Sequence, residues 1–197
     1  METSHDSLMH RPEQLRREAD TLLERVNLLS LVSPYGRVVF TGSYYLNVMV
    51  YPDLDLYLPL ITLPQLFTIA AQIAECKLVT QVVYEPSDDP VNLPGGLYLK
   101  ARFNYGEWGR PWKIDMWCLP QDVIRRKMAE MEHFREKLSP EIREKIIQYK
   151  LSILTLQHRT PMYSGYYIYK AFIDENLEDY ERVTHYLEAN GIHMETH

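Results

Sequence analysis

The sequence predicts an α/β (α+β) fold in which helices flank a small, twisted, mixed sheet. Two observations lead to this prediction. Up to residue 119, short runs of β-branched and aromatic residues alternate with stretches of helical periodicity. After residue 119 the composition shifts to helix-forming residues and charged pairs. We therefore expect a core at residues 1–119, which includes an N-terminal helix, and a helical subdomain at residues 120–197.

The first elements of the core are predicted to be a helix and two strands. Pro12 stands in the first turn of an amphipathic helix, whose apolar residues recur at steps of three and four and which ends near Pro34. The β-branched and aromatic run at 37–41 predicts a short buried strand, which the Gly-Ser dipeptide at 42–43 interrupts. A second strand is expected at 53–58.

The rest of the core is predicted to contain a helix, a third strand and a hairpin. Helical periodicity predicts a helix at 65–76, and β-forming residues return at 78–84. The segment 85–96 is expected to be a loop. Two strand-like runs, 97–104 and 112–118, are joined by a segment rich in Gly and Pro, so we expect them to pair antiparallel.

The C-terminal part is predicted to be helical. Ser139 followed by Pro140 is typical of a capped helix start. Two further helices are expected at 163–173 and 179–187, and the Asn-Gly dipeptide at 190–191 is typical of a helix end.

Composition narrows the possible partners and compartments. The chain has 21 Lys and Arg against 27 Asp and Glu. Its net charge of −6 disfavours binding to the negatively charged phosphates of long nucleic acids. We therefore expect small substrates and no nucleic-acid partner. No apolar run reaches the length of a membrane span or a secretory signal, so we expect a cytoplasmic protein. Its two cysteines, Cys76 and Cys118, do not suggest a disulfide framework or a zinc site.

The strongest chemical signal is a pair of aspartates on the second predicted strand. Alternation along a strand places Asp53 and Asp55 on one face and Leu54 and Leu56 on the other. Two buried carboxylates on one face are costly without a cation between them. Carboxylate oxygens suit Mg²⁺, which also binds waters and substrate phosphates. The pattern therefore predicts a metal and phosphate site.

A third carboxylate and several cations are predicted on the hairpin. Alternation places Asp115 on one face with Lys113 and Trp117, and it places Lys100 and Arg102 together on one face of the preceding strand. The two basic strand residues, Arg102 and Lys113, are candidates to bind phosphate oxygens. Three carboxylates also suit two metal ions about 4 Å apart, of which one activates the attacking oxygen and the other stabilises the leaving group.

Taken together, these residues resemble a known pattern. Gly42 and Ser43 precede a short segment, followed by Asp53 and Asp55 with one hydrophobic residue between them, and then by Asp115 on a later strand. The chain resembles the DNA polymerase beta type nucleotidyltransferase superfamily, and it looks most like the minimal small-molecule members, including the antibiotic nucleotidyltransferases.

The resemblance covers residues 37–119 and implies a reaction. It implies a mixed sheet flanked by helices, and transfer of a nucleoside monophosphate from a nucleoside triphosphate such as ATP to a small-molecule acceptor. It implies Mg²⁺, as two ions, bound by Asp53 and Asp55, with Asp115 as the third ligand or the catalytic base. It also implies that the Gly-Ser turn lies under the phosphates, where backbone N–H groups donate to oxygen.

Each of these residues also has a simpler interpretation. Asp53 fits a carboxylate at a strand start, the Gly-Ser dipeptide fits a plain helix start, and Asp115 fits an ion pair with Lys113 or Arg102. Two other functions stay open. One is a metal-dependent glycosyltransferase that holds a sugar nucleotide through Asp53 and Asp55. The other is a catalytically degenerate nucleotidyltransferase-fold protein that binds nucleotide or a protein partner, because the segment before the first aspartate contains no Arg or Lys.

The acceptor is the least determined part of the prediction. Four acidic residues near the C-terminus favour a cationic, hydroxyl-bearing acceptor such as an aminoglycoside, although solvated helix charge explains them equally well. They are Glu175, Glu178, Asp179 and Glu181. His158, Arg159 and the aromatic segment 163–167 either pack as a seam between helices or reach the nucleotide or the acceptor.

Overall fold

The computed structural model of the chain describes residues 2–86 and 95–194, with side chains from residue 10 onward. Within these residues, five strands form one mixed sheet in the order β1-β2-β5-β4-β3. The strands are β1 (Val39–Thr41), β2 (Asp53–Pro59), β3 (Val79–Glu85), β4 (Leu97–Phe103) and β5 (Trp112–Leu119). The two central strands β2 and β5 are parallel and the other neighbours are antiparallel. The predicted mixed sheet and its antiparallel hairpin are confirmed.

Helices precede, interrupt and follow the sheet. They are α1 (Glu2–Val26), α2 (Leu28–Val32), α3 (Gly42–Tyr45), α4 (Leu63–Ala74), α5 (Gln121–Lys137), α6 (Pro140–Ser152), α7 (Ser164–Ile173) and α8 (Tyr180–Ala189). None of the helices in the described ranges combines the length and the apolar character needed to cross a membrane. Most of the predicted loop at 85–96 lies outside the described residues.

The N-terminal helix differs from its prediction at both ends. Pro12 lies inside α1 and not in its first turn. A proline removes one N–H from the helical ladder, and the helix formers on both sides of Pro12 carry the helix past this loss. At the other end Asn27 adopts a left-handed conformation with φ of 52°, which separates α1 from α2. The single predicted helix is therefore two.

Local side-chain caps explain where the later helices begin. Thr62 and Gln65 form a reciprocal capping box before α4, so this helix starts two residues earlier than its apolar periodicity predicts. Ser139 Oγ accepts a hydrogen bond from the backbone N–H of Ile142, and Pro140 opens α6, as predicted. Asp179 caps α8 in the same way.

One face of the sheet is apolar and is covered by helices. Leu54, Leu56 and Leu58 of β2 are completely buried, and they belong to the cluster that includes Leu22 of α1 and Ile69 of α4. The alternation predicted for β2 is confirmed, because the residues between these leucines are only partly buried. Asp53 and Asp55 therefore lie on the opposite face of β2.

A second apolar cluster joins the C-terminal helices to the core. It contains residues of α5 to α8, and it also contains Leu46, Val48 and Val50 from the segment that connects α3 to β2. The C-terminal helices thus pack directly against the chain that leads into Asp53. We keep a division at residues 119 and 120 as a proposal, with this segment as the contact between the two parts.

Candidate active site

The structure brings the three predicted carboxylates together on one face of the sheet. In the register of the parallel strands, Asp55 lies opposite Asp115 and Asp53 lies opposite Lys113. Residues two apart on a strand share a face, so all four side chains point to the same side. This side is opposite the leucines that pack against α1 and α4.

Lys113 ties two of these carboxylates together. Its Nζ lies 3.1 Å from Asp53 Oδ2 and 2.6 Å from Asp115 Oδ2. Burial lowers the pKa of Lys113, but the surrounding carboxylates outweigh this effect and raise it above its ordinary value. Lys113 is therefore a fixed cation in the cluster.

Asp115 has partners for both of its oxygens. Its Oδ2 pairs with Lys113, and its Oδ1 accepts a hydrogen bond of 2.7 Å from the buried hydroxyl of Tyr98. The simpler interpretation of Asp115, an ion pair with Lys113, thus describes part of its environment. The two contacts also orient the carboxylate, which a catalytic role requires as well.

Asp53 and Asp55 carry charge that the chain does not fully compensate. Burial raises the pKa of both carboxyl groups, and the neighbouring carboxylates raise them further, while Lys113 acts in the opposite direction. Asp53 Oδ1 is buried and has no hydrogen-bond partner among the described residues. A buried carboxylate oxygen without a partner is a place where a cation would be stabilised.

Gly42 lies against Asp55. Its backbone has φ of +61°, and a Cβ atom built on it would lie 2.9 Å from Asp55 Oδ2. Thr41, the residue before it, lies opposite Asp55 in the antiparallel register of β1 and β2. Ser43 follows in the four-residue helix α3. The predicted Gly-Ser turn and the aspartates are therefore adjacent in space.

These donors fit a magnesium ion at two of the three predicted ligands. Asp53 and Asp55 offer hard carboxylate oxygens, one of them buried and unpartnered. Asp115, the third predicted ligand, has Lys113 and Tyr98 as partners of its two oxygens, and its role as a ligand or as the base stays a prediction. Among the described residues, no group of three or more His, Cys, Asp or Glu is arranged to hold a metal ion.

Lys150 is a cation of the site that the sequence analysis did not identify. Its side chain on α6 is 2% exposed, and its Nζ donates a hydrogen bond of 2.8 Å to the backbone oxygen of Val48. Burial lowers the pKa of Lys150 to about 7, against the attraction of Asp53 and Asp55. Lys150 therefore lies close enough to the two aspartates to interact with their charges.

A sequence signal for Lys150 did exist. Ile146 and Ile147 precede it by four and three residues, so Lys150 shares their helix face, and both isoleucines are completely buried. A lysine within a buried apolar stripe is rare unless it has a partner.

Arg110 is a second residue that the analysis missed. It lies in the hairpin loop, with its guanidinium carbon 5.1 Å from the ring centre of Tyr51, and it donates a hydrogen bond of 3.4 Å to the backbone oxygen of His158. Of the predicted phosphate ligands, Arg102 is half-buried and lies opposite Lys113 in the β4–β5 register.

The aromatic segment near the C-terminus is mostly a packed seam. Tyr166 and Tyr169 lie against Phe134, with ring centres 5.7 and 6.1 Å apart. Tyr163 differs, because it is 73% exposed and has a left-handed backbone with φ of 61°.

Comparison with known proteins supports the fold. No protein-family model matches the chain, and no curated protein is similar to it in sequence. Among solved structures, the chain is similar to Cid1 in complex with the UTP analogue UMPNPP, with a TM-score of 0.51 and 13% identity over 83% of this chain and 53% of that one.

Two other structures of the same protein are similar to the chain. Cid1 poly(U) polymerase with MgGTP bound has a TM-score of 0.49 and 14% identity, over 71% of this chain and 43% of that one. Cid1 described as an RNA terminal uridylyl transferase has a TM-score of 0.48 and 16% identity, over 78% and 45%. The chain thus spans about half the length of these structures. The match with a TM-score of 0.51 shows that the chain has the nucleotidyltransferase fold, which confirms the predicted fold class.

Proposed function

We propose that the chain is a nucleotidyltransferase, which transfers a nucleoside monophosphate from a nucleoside triphosphate to an acceptor. The observation that carries the proposal is the position of Asp55 opposite Asp115 on parallel strands, with Asp53 beside them, on a nucleotidyltransferase fold. The reaction is an attack of an acceptor oxygen on the α-phosphorus, with loss of pyrophosphate. Asp53, Asp55 and Asp115 are the proposed catalytic residues.

Asp53 and Asp55 would hold the magnesium ion. The free Asp53 oxygen and the raised pKa values of both carboxyl groups support this assignment. Bound Mg²⁺ neutralises phosphate charge in such reactions and stabilises the leaving pyrophosphate. The structures of Cid1 that were solved with MgGTP and with a UTP analogue support a nucleotide co-substrate.

Asp115 is the proposed general base. Each carboxylate oxygen has more than one lone pair, so Asp115 accepts a further proton while it keeps Lys113 and Tyr98 as partners. The acceptor hydroxyl transfers its proton to Asp115 as its oxygen bonds to phosphorus, and the bond to the bridging oxygen of pyrophosphate breaks. Lys113 and Tyr98 keep the carboxylate oriented during this step.

The nucleotide phosphates are proposed to lie beside Gly42 and Ser43. Gly42 leaves space next to Asp55 that any side chain would fill, and the Ser43 hydroxyl is a donor at this turn. Lys150 lies within interaction range of Asp53 and Asp55, and because burial lowers its pKa to about 7, it supplies positive charge to the site below that pH.

The charge argument for a cationic acceptor is weak. Glu178 pairs with Lys145, and Asp179 caps α8, so local roles account for two of the four acidic residues on which that expectation rests. A small acceptor is supported by the net charge of −6, which disfavours long nucleic acids. Cid1 is described as having RNA terminal uridylyl transferase activity, and RNA is the alternative that an acceptor screen must include.

The function is tested by following label from α-labelled nucleotides in the presence of Mg²⁺. We expect pyrophosphate release and labelled acceptor with the wild type, and neither with Asp53→Asn or Asp55→Asn, because an amide is a poor ligand for a hard cation. Asp122→Asn is the matched control, because Asp122 is an exposed residue of α5 that pairs with Arg126. Activity in both site variants, or release of a nucleoside diphosphate, would contradict the proposal.

One observation favours a second candidate, a protein that binds nucleotide without turnover. The ammonium of Lys113 lies between Asp53 and Asp115 and neutralises two of the carboxylates that a two-metal enzyme would use for its ions. Calorimetry separates the two candidates. Nucleotide affinity that does not change with Mg²⁺, with no pyrophosphate released across all acceptors, would favour the binding protein.

A further inference from the structure

Three arginines near the carboxylates have no acidic partner. Arg102, Arg110 and Arg159 form no ion pair within 4.0 Å with any carboxylate in the described part of the chain, whereas Lys113 pairs with two and Lys100 pairs with Glu85.

Arg110 and Arg159 are held together by a small set of contacts. Arg110 donates to the backbone oxygen of His158, and Tyr51, whose ring lies under Arg110, forms a hydrogen bond of 3.1 Å to Thr160. Arg159 lies between these two anchored residues. Its own backbone oxygen accepts a bond of 2.8 Å from the N–H of Thr155, which closes the turn.

Arg102 belongs to the same group of charges. Burial lowers the pKa of Arg110, Asp53 opposes this shift, and the positive charges of Arg102 and Arg159 lower the pKa further. The guanidinium group of Arg110 thus lies within electrostatic range of both other arginines. In addition, Arg110 Nε is buried and has no hydrogen-bond partner among the described residues. An anion would relieve both the repulsion and the missing hydrogen bond.

Arg102 and the Gly-Ser turn lie on opposite sides of the carboxylates in the order of the strands. Across the sheet, β1 leads into Gly42, the next two strands β2 and β5 carry the aspartates, and β4 carries Arg102. The proposed nucleotide site is at the β1 side. Arg102 is therefore on the far side of the aspartates from that site, and Arg110 follows it in the loop that joins β4 to β5.

We propose that Arg102, Arg110 and Arg159 bind a phosphate group of the acceptor. The inference rests on the proposed function, because it names the substrate class of the same site. Guanidinium groups offer paired N–H donors that match phosphate oxygens, and three of them suit a group with a charge of up to two. The phosphate is either a monoester of a small metabolite or a diester of an oligonucleotide, and both present the same oxygens.

The proposal is tested by binding, separately from turnover. Calorimetry compares the binding affinity of ribose 5-phosphate with that of ribose. It also compares the binding affinity of a trinucleotide without terminal phosphates with that of the mixed nucleosides. We expect binding only of phosphate-bearing probes, and the probe that binds more tightly identifies the source as monoester or diester. No binding of either phosphate-bearing probe would overturn the proposal, whether or not the protein releases pyrophosphate.

Variants assign the binding to the arginines. We expect Arg102→Gln and Arg159→Gln each to weaken phosphate-probe binding roughly tenfold, since a hydrogen bond to a charged group contributes about this much. UTP affinity should stay unchanged, because Arg102, which the sequence analysis assigned to the nucleotide phosphates, binds the acceptor phosphate instead. Arg126→Gln on the exposed face of α5 is the matched control. Thermal melting of each variant checks folding, and Arg110→Gln adds a third test.

Two results with folded variants would overturn the assignment. One is phosphate-probe affinity equal to that of the wild type. The other is a loss of UTP affinity with phosphate-probe binding retained, which would place the arginines in the nucleotide site. Because UTP binding and pyrophosphate release are measured on the same samples, failure of this inference is distinguishable from failure of the proposed function.

Discussion

Asp55 on β2 lies directly opposite Asp115 on β5, its parallel neighbour. Two carboxylates so placed repel each other unless cations lie nearby. The chain supplies Lys113 between Asp53 and Asp115, and Lys150 from α6. If all five groups are ionised, one excess negative charge remains. The site therefore has the charge to accept a cation.

Replacing Gly42 by alanine should destabilise the protein by about 1–2 kcal/mol, because a left-handed residue with a Cβ is strained. It should also lower activity, because the new methyl group would lie 2.9 Å from Asp55 Oδ2. Urea denaturation and pyrophosphate release measure the two effects. Gly191→Ala is the control, since Gly191 has φ of +81° and no atom within 4 Å of a built Cβ. Equal loss of activity in both variants would argue against a specific contact at Asp55.

Replacing Tyr98 by phenylalanine removes the hydrogen bond to Asp115 Oδ1. We expect kcat to fall while the KM for nucleotide stays nearly constant, because the bond orients the proposed base and does not touch the nucleotide. Loss of a buried bond to a charged group should also cost about 1–3 kcal/mol of stability.

The control for Tyr98 is Tyr180→Phe. Tyr180 donates to Gln148 Oε1 at 3.2 Å, between α8 and α6. This variant should lose stability without losing activity. Full kcat in Tyr98→Phe would show that the orientation of Asp115 does not depend on this hydroxyl.

Without metal, the stability of the protein should fall as the pH rises from 5 to 7. Burial raises the pKa of Asp55 above its ordinary value of 3.8, so the folded state holds a proton that the unfolded state has released over this range. Asp55→Asn carries no such proton and should show a shallower decline. Urea denaturation in EDTA measures how the free energy of unfolding changes with pH in the wild type and in Asp55→Asn. The same pH dependence in both proteins would contradict the prediction. Added Mg²⁺ should restore stability at pH 8 in the wild type only.

Lys150 should produce the opposite dependence at higher pH. Burial lowers its pKa to about 7 from 10.5, so between pH 7 and 9 the unfolded state binds the proton that the folded state lacks. Lys150 therefore increases the free energy of unfolding by at most about 1.4 kcal/mol for each unit by which the pH rises. Lys150→Met should remove that increment, whereas Lys145→Met should not, because Lys145 reaches solvent and pairs with the exposed Glu178. The same slope in all three proteins would contradict the assignment.

Much of the fold was predictable because it depends on local signals. Alternation along β2 separated Asp53 and Asp55 from the buried leucines, and the Ser139-Pro140 pair marked the start of α6. The prediction failed where two local signals competed. A proline is more often found in the first turn of a helix. Pro12 instead lies inside α1, which extends on both sides of it.

By itself, the sequence determined the strands, the helices and the faces on which the three aspartates lie, since periodicity and capping act over a few residues. Only the tertiary structure decided that β2 and β5 pair in parallel with Asp55 opposite Asp115 and Lys113 beside Asp53. It also decided that Lys150 is buried near the same aspartates, because this depends on how α6 packs against the segment before β2. Strand register and charge burial arise from contacts between distant segments, which no local pattern encodes.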